Sequence, residues 1–333
     1  MPEITKIVVV GASAGGLKAV AELISKFPKN NNISVFIVLH VSKNSIGPVI
    51  VTHIQKHTSL ICEIPSNGDL IKPGHIYIAP PDHHMIIKRD EICIHNGARE
   101  NRWRPSIDVL FRSAAVAYGS KVIGIVLTGL MDDGTSGMGA IKRSGGVCIV
   151  QEPEEAEFSD MPANVLNNVD VNYRVSISEM GYILEDLFSK PSGPEIRVPR
   201  ELEIEAEITE KLSSKIQDLE KIGEQTLFSC PECGGGLWKI KGDTVVRYRC
   251  HTGHVYTLQT LLQAQAEGIE KAIWVAIRML EERRNLLLIS SAYNSNSPDD
   301  SAEDIKSRTE DVNNHIERLK TVLQFMRVNE PNA

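Results

Sequence analysis

Gly11-Ala12-Ser13-Ala14-Gly15 is the first stretch of the chain whose residue types and spacing can do chemistry. A G-x-S-x-G pattern makes a tight turn from strand to helix that lifts a serine oxygen above a sheet. The amides opening the helix then favour a developing oxyanion. A dinucleotide-binding turn competes for the same glycines, since Gly11 and Gly16 occupy the outer positions of G-x-G-x-x-G. Ser13, however, stands where the middle glycine must admit a pyrophosphate. The next apparent strand, VFIVLH, ends in His40 and not in the acid that would hold a ribose. Serine is a poor nucleophile without a base. His40 is placed to be that base, and Asp132 or Asp133, just after IGIVLTGL, is placed to orient its ring. Taken singly, the pentapeptide recurs by chance, a lone histidine is more often packed or solvated, and Asp-Asp-Gly is more often a turn. Their common position at strand ends favours a hydrolase.

The elements that must position these residues show as apolar β-branched runs at Ile7–Val10, Val35–His40, Ile76–Ala79, Ile123–Thr128 and Val147–Gln151. Runs apolar almost throughout fit strands covered on both faces. Between them lie helical stretches at Gly16–Phe27, Ser106–Tyr118, Ser136–Ser144 and Pro162–Val169. The alternation predicts an α/β domain with a doubly wound, mostly parallel sheet over residues 1–190. Prolines and glycine follow Lys190, and the ELEIEAEITE stretch reads as a solvated linker or an edge strand. That predicts an acidic linker over 191–224. Apolar residues at 258, 262, 269, 273, 277 and 280 are spaced by three, four or seven. Those at 312, 316, 319, 323 and 326 alternate by four and three. A helical hairpin over 257–330 follows, with a turn at 294–301 and Ser301 or Asp304 as a cap for the last helix.

A second cluster carries metal chemistry. Cys230 and Cys233 form C-x2-C, and Cys250 with His254 forms C-x3-H sixteen residues later. The first pair suits a tight knuckle, and the intervening residues can form a hairpin that returns the second. The prediction is a zinc-ribbon-like module over 225–256 with a structural Cys3His zinc. His251 is adjacent to Cys250 and awkward as its co-ligand, and a redox C-x-x-C lacks its usual βαβ setting. Cys62, Cys93 and Cys148 stand alone in strand-like stretches as small buried residues.

The 333 residues suit two domains with a small third module, and 42% hydrophobic content excludes wholesale disorder. With 36 basic against 43 acidic residues, the net charge of −7 disfavours nucleic acid as main partner. Lys239, Lys241, Arg247 and Arg249 nevertheless make the cysteine module locally basic. No secretory signal and no membrane-length apolar run is read, so a cytoplasmic chain without membrane insertion is expected.

Residues 4–190 resemble the catalytic domain of the chemotaxis-type protein-glutamate methylesterases. The resemblance rests on blocks in the family's order. They are GASAGG at 11–16, VLHVS at 38–42, PGHIYIAPPDHHM at 73–85, NRWRPSIDVLFRSAA at 101–115, VIGIVLTGLMDDGTSGM at 122–138, SGGVCIVQ at 144–151 and AEFSDMPANVL at 156–166. It implies hydrolysis of glutamyl γ-methyl esters on chemoreceptor cytoplasmic helices, releasing methanol, with deamidation of receptor glutamines as a related activity and no catalytic cofactor. Carried over by motif, it implies Ser13 as nucleophile, His40 as general base and Asp133 as orienting acid, with the Ala14 amide in the oxyanion hole. Ala14 departs from the threonine common at that position, which removes any side-chain contribution to the hole. Arg99, Arg102 and Arg104 are candidates for contact with an acidic receptor helix. Met161, Pro162, His83 and His84 are assigned no chemistry. Arginine commonly precedes the equivalent of Thr252-Gly253-His254 in an extension seen on some members, which supports His254 as the ligand. Family members usually carry an N-terminal phospho-receiver domain. With the first strand starting near Ile4, the expectation is a stand-alone catalytic domain without phosphorylation control in cis. A non-enzymatic adaptor acting through the C-terminal helices, by self-association or a helical partner, is the alternative.

Overall fold

The computed structural model describes residues 4–27, 32–42, 44, 46–212, 215–293 and 302–328. The chain forms two compact units, 1–260 and 261–333. The first opens with β1 (Lys6–Ala12), α1 (Gly16–Ser25), β2 (Ile33–Leu39), α2 (Gly47–Gln55), β3 (Ile61–Glu63) and β4 (His75–Ile78). It continues through β5 (His84–Ile87), β6 (Ile92–His95), α3 (Ile107–Tyr118), β7 (Val122–Val126), α4 (Thr135–Arg143) and β8 (Val147–Gln151). Then come α5 (Asp160–Asn168), β9 (Tyr173–Val175) and α6 (Ile177–Ser189). β3, β4, β2, β1, β7, β8 and β9 form one sheet in that order, parallel throughout. The predicted doubly wound α/β fold is present.

Strand side chains alternate between two apolar layers, which is why the runs are continuous in sequence. Ile7, Val9, Phe36 and Val38 join a core with Ile107, Leu110 and Met138. Val8, Val10, Val35 and Ile37 join the other with Val20, Ile54 and Leu184. Burial pushes the Cys62 thiol up to about 11 and the Cys148 thiol up to about 12, so both are packing residues without thiolate chemistry.

Beyond residue 191 the structure corrects the linker reading. Residues 200–211 form a helix, α7 (Arg200–Lys211), followed by the short α8 (Ile216–Ile222). Its inward face is Leu202, Glu205, Ile208 and Thr209, a helical spacing that the alternating glutamates conceal. Next comes an antiparallel sheet of β10 (Gly223–Ser229), β11 (Gly236–Ile240), β12 (Arg247–Cys250) and β13 (Val255–Thr257), in that order. Arg247 and Arg249 are not the basic surface expected, because both are fully buried. Arg247 binds Glu205 through two bonds, Nη1–Oε1 at 2.8 Å and Nη2–Oε2 at 2.9 Å, and Asp243 at 2.5 Å. Arg249 reaches Glu100 at 3.0 Å and Glu205 at 3.3 Å, while Arg112 reaches Glu100 at 2.5 Å. Three buried guanidinium groups thus face Glu100, Glu205 and Asp243, joining α3, α7 and β12 into one body.

α9 (Leu258–Tyr293), from Leu261 onward, and α10 (Ala302–Val328) supply the second unit. Ile273, Ile277, Leu280 and Leu287 of α9 pack against Val312, Ile316, Leu319 and Leu323 of α10. Leu258, Leu262 and Ile269, read into the same stripe, are exposed. The 36-residue helix outruns its 27-residue partner. The 294–301 turn and the Ser301 cap lie outside the described residues, and Asp304 sits in the first turn of α10. No helix among the described residues is long and apolar enough to cross a membrane.

Candidate active site

Ser13 follows β1, His40 follows β2 and Asp133 lies in the loop after β7. These are carboxyl ends of neighbouring strands at the point where strand order reverses, the place where open α/β sheets hold their ligands. The turn after β1 is sharp because Gly15 adopts φ +72°, where a Cβ would also meet Glu157. Close approach is needed on the other side as well. A Cβ on Gly129 would lie 2.8 Å from Ser13 Cβ and 2.1 Å from Met161 Sδ. The Ser13 amide donates to Thr128 O at 3.0 Å, whereas the amides of Ala14 and Gly15 donate to no group among the described residues. Those two N–H groups open α1 and are available to an oxyanion.

His40 Nε2 donates to Asp133 Oδ2 at 2.8 Å, with both side chains buried. Asp133 accepts four further bonds: Ile107 N at 2.7 Å, Asn101 Nδ2 at 2.9 Å, Ser106 Oγ at 3.0 Å and Asp108 N at 3.3 Å. The first turn of α3 therefore points its amides at this carboxylate. Burial pushes the Asp133 carboxyl up, but the hydrogen bonds from His40, Asn101 and the Ile107 amide hold it below its ordinary value. It stays ionised and accepts only, so His40 carries its proton on Nε2. His40 Nδ1 is buried with no partner, and no hydrogen bond joins it to Ser13 among the described residues. That nitrogen is a lone-pair acceptor without a donor, in a pocket wall shared with Ser13. Separation of nucleophile and base before substrate binds is common.

Three contributors escaped the sequence reading. Trp103 stacks on the His40 ring, with centroids 4.0 Å apart and planes 8° apart. Asn101 bridges Asp133 and Asp108 through Nδ2, at 2.9 Å and 2.7 Å. Asp108, held by the amides of Gly134 and Gly137, is pushed well up by burial and by the charge of Asp133. The one available signal was an asparagine in a turn, since asparagine tolerates the φ of +51° it adopts. His84, assigned no chemistry from sequence, is fully buried. Burial lowers it to about 4, and its ring accepts from Ser106 N and meets Ala98 O.

A groove of about 1080 Å3 leads to Ser13 and His40, walled by Leu17, Ala21, Ile46, Val49 and Ile50, with Lys18 at its side. Arg99, Arg102 and Arg104 do not line it. Arg104 is committed elsewhere, to Asp82 Oδ1 at 2.8 Å and to the carbonyls of Asn96 and Gly97.

Asp132 is not part of the hydrogen-bonded line. Burial pushes its carboxyl up to about 6, against a hydrogen bond with Thr257. A raised carboxyl pKa means the folded chain holds this proton more tightly than the unfolded chain. Stability from this group is therefore lost as pH rises from about 4 through 6. Asp132→Asn should be more stable than the parent by about 1–3 kcal/mol at pH 8 and indistinguishable at pH 4, by urea unfolding. A pH-independent difference would contradict this.

The cysteine cluster is assembled as predicted. Donor atoms of Cys230, Cys233, Cys250 and His254 all lie within 4.8 Å of one another and can hold a metal ion. Cys250 Sγ to His254 Nδ1 is 3.5 Å, Cys230 Sγ to His254 Nδ1 is 3.7 Å, and Cys233 Sγ to Cys250 Sγ is 3.9 Å. Tetrahedral zinc bonds of about 2.0–2.3 Å require separations of roughly 3.5–3.8 Å, which these three pairs meet to within about 0.1 Å. His254 turns Nε2 to Glu232 at 3.1 Å, the carboxylate–histidine partnership that orients a ligand ring. His251 is outside the group.

Ser13, His40 with its unpartnered buried Nδ1, and Asp133 thus lie at the carboxyl ends of neighbouring strands of one parallel sheet. Residues 8–184 match the family model described as CheB methylesterase. A Leptospira interrogans protein, provisionally named protein-glutamate methylesterase/protein-glutamine glutaminase, is 35% identical over 174 residues, covering 52% of this chain and 90% of its own. Proteins of that name from Trichodesmium erythraeum and Salmonella typhi are 36% and 33% identical over 49% and 58% of this chain. The match spans about half their own length, 47% and 55%. The crystal structure of the Thermotoga maritima CheB methylesterase catalytic domain superposes with TM-score 0.51 at 29% identity. It covers 55% of this chain and 98% of that one. The chain belongs to the CheB methylesterase family.

Proposed function

We propose that the chain hydrolyses glutamyl γ-methyl esters on the cytoplasmic helices of methyl-accepting chemoreceptors, releasing methanol. The carrying observation is the line from Asp133 to His40, which leaves a buried, unpartnered Nδ1 beside the serine pocket. In this reading Ser13 Oγ attacks the ester carbonyl while His40 Nδ1 takes its proton, and Asp133 stabilises the imidazolium. The amides of Ala14 and Gly15 receive the oxyanion. His40 then protonates the departing methoxide, and water, activated by the same nitrogen, cleaves the acyl-serine. A receptor glutamine enters by the same route, with ammonia leaving, which accounts for a deamidase activity. No step needs a metal.

Arg99 and Arg102, on the turn beside Trp103, are proposed to meet acidic residues of the receptor helix. Arg104 is proposed to hold its loop. The Cys3His group is proposed to hold a structural zinc, having no open ligand position. A second apolar row on α9, with Val275, Met279, Leu286 and Ile289 exposed, is available to a helical partner or a second copy.

The test is methanol release from methylated receptor signalling fragments by the whole chain, alongside ammonia release from the glutamine forms. Release of methanol at a catalytic rate is expected. None from zinc-loaded protein across several receptors would overturn the assignment.

A further inference from the structure

Residues 100–103 form a tight turn, with Trp103 N donating to Glu100 O at 2.9 Å. Its central residues Asn101 and Arg102 have φ of +51° and +70°, the mirror-image geometry of a type I′ turn. An arginine there is strained, so something outside the turn must hold it. The holder is β13. Asn101 N donates to Val255 O at 2.8 Å, Val255 N donates to Arg99 O at 3.2 Å, and Glu100 pairs with Val255 in register. Val255 directly follows the ligand His254, whose carbonyl accepts from Cys250 N at 2.9 Å. The metal-ligand turn and the catalytic-loop turn therefore share one strand.

Every side chain of that turn with a contact described above reaches a working part of the molecule. Glu100 enters the buried arginine cluster, Asn101 bonds Asp133, and Trp103 stacks on His40. Two further links run the same way, from Arg249 to Glu100 and from Ser136 Oγ to Asp243 Oδ2 at 2.8 Å. We infer that the Cys3His module is part of the active site, its metal fixing β13, and β13 fixing Asn101 as the positioning residue for Asp133 and His40. The inference rests on the proposed catalytic and zinc readings. It adds that metal occupancy sets turnover at a hydrolytic centre that no metal touches.

The experiment uses the full chain, loaded with zinc and stripped by chelator, with Asn101→Ala in parallel. Metal removal should speed amide exchange of a peptide spanning 99–104 by at least about tenfold. It should also lower kcat by about 10- to 100-fold with KM within a factor of three. Asn101→Ala should lose kcat to a similar degree while retaining stoichiometric zinc. Stripping that variant should cost less than about threefold more, because both changes break one route. Multiplicative losses, unchanged exchange at 99–104 on stripping, or a reconstituted chain that binds no zinc would each overturn the inference. Absence of methanol release from the loaded protein would instead overturn the esterase reading, leaving the exchange arm to decide the coupling.

Discussion

Ser13→Ala should lower kcat for ester hydrolysis by about 10^4- to 10^6-fold with little change in stability. The oxygen is the bond-forming atom, and the backbone bonds of the turn, Ser13 N to Thr128 O and Gly16 N to Ser13 O, do not involve the hydroxyl. His40→Ala should lose about as much, and the double variant little more, because the two act as a unit. Asp133→Asn is the more informative change. Asp133 accepts from five donors, and an asparagine must turn an N–H toward at least one of them. Facing His40, that N–H forces the ring proton onto Nδ1 and removes the base, for a loss of about 10^3- to 10^4-fold in kcat. Methanol release with folded, zinc-loaded variants reads all of these. A Ser13→Ala protein within tenfold of the parent would refute the nucleophile.

Glu205→Ala should destabilise the 1–260 unit by about 3–5 kcal/mol in urea or thermal unfolding. Burial alone would push the Glu205 carboxyl up, but Arg112 and Arg247 hold it far below the ordinary range. Removing it strands Arg247 and Arg249 in the interior with one fewer anion between them. Because its folded-state pKa is depressed, this stabilisation is present above about pH 4.5 and is lost as pH falls below that value. The wild-type advantage over the variant should therefore shrink on acidification. Lys320→Ala, which breaks an exposed pair with Glu317, should change stability by less than about 0.5 kcal/mol. Equal effects of the two substitutions would contradict the buried-cluster account.

What could be read before the structure follows from where each signal comes from. β1, β2, β4, β7 and β8 are buried on both faces, so each is a continuous apolar run. β3 and β9 are three-residue edge strands and leave no such run. The strand-end positions of Ser13, His40 and the Asp132–Asp133 pair were legible because parallel sheets gather chemistry there, the choice of Asp133 came from the family resemblance alone, and the Cys3His set was legible because ligand spacing is local. Glu205 was not, since its partners Arg247 and Arg249 lie more than forty residues away. An alternating row of glutamates gives no hint that one is buried. The two arginines failed for the converse reason, since basic residues on a short strand read as surface until their acids are located. Asn101 and Trp103 depend on a turn whose shape is imposed by β13, a contact across 154 residues that no local pattern encodes.

The most direct test of the central claim is rapid-quench mass spectrometry of the zinc-loaded chain mixed with a methyl-ester receptor peptide. The account predicts a transient adduct on the peptide containing Ser13, with the mass of the substrate less methanol. It should form no slower than methanol appears and be absent from Ser13→Ala. Methanol release at the parent rate with no adduct at Ser13, or with the adduct on another residue, would contradict it.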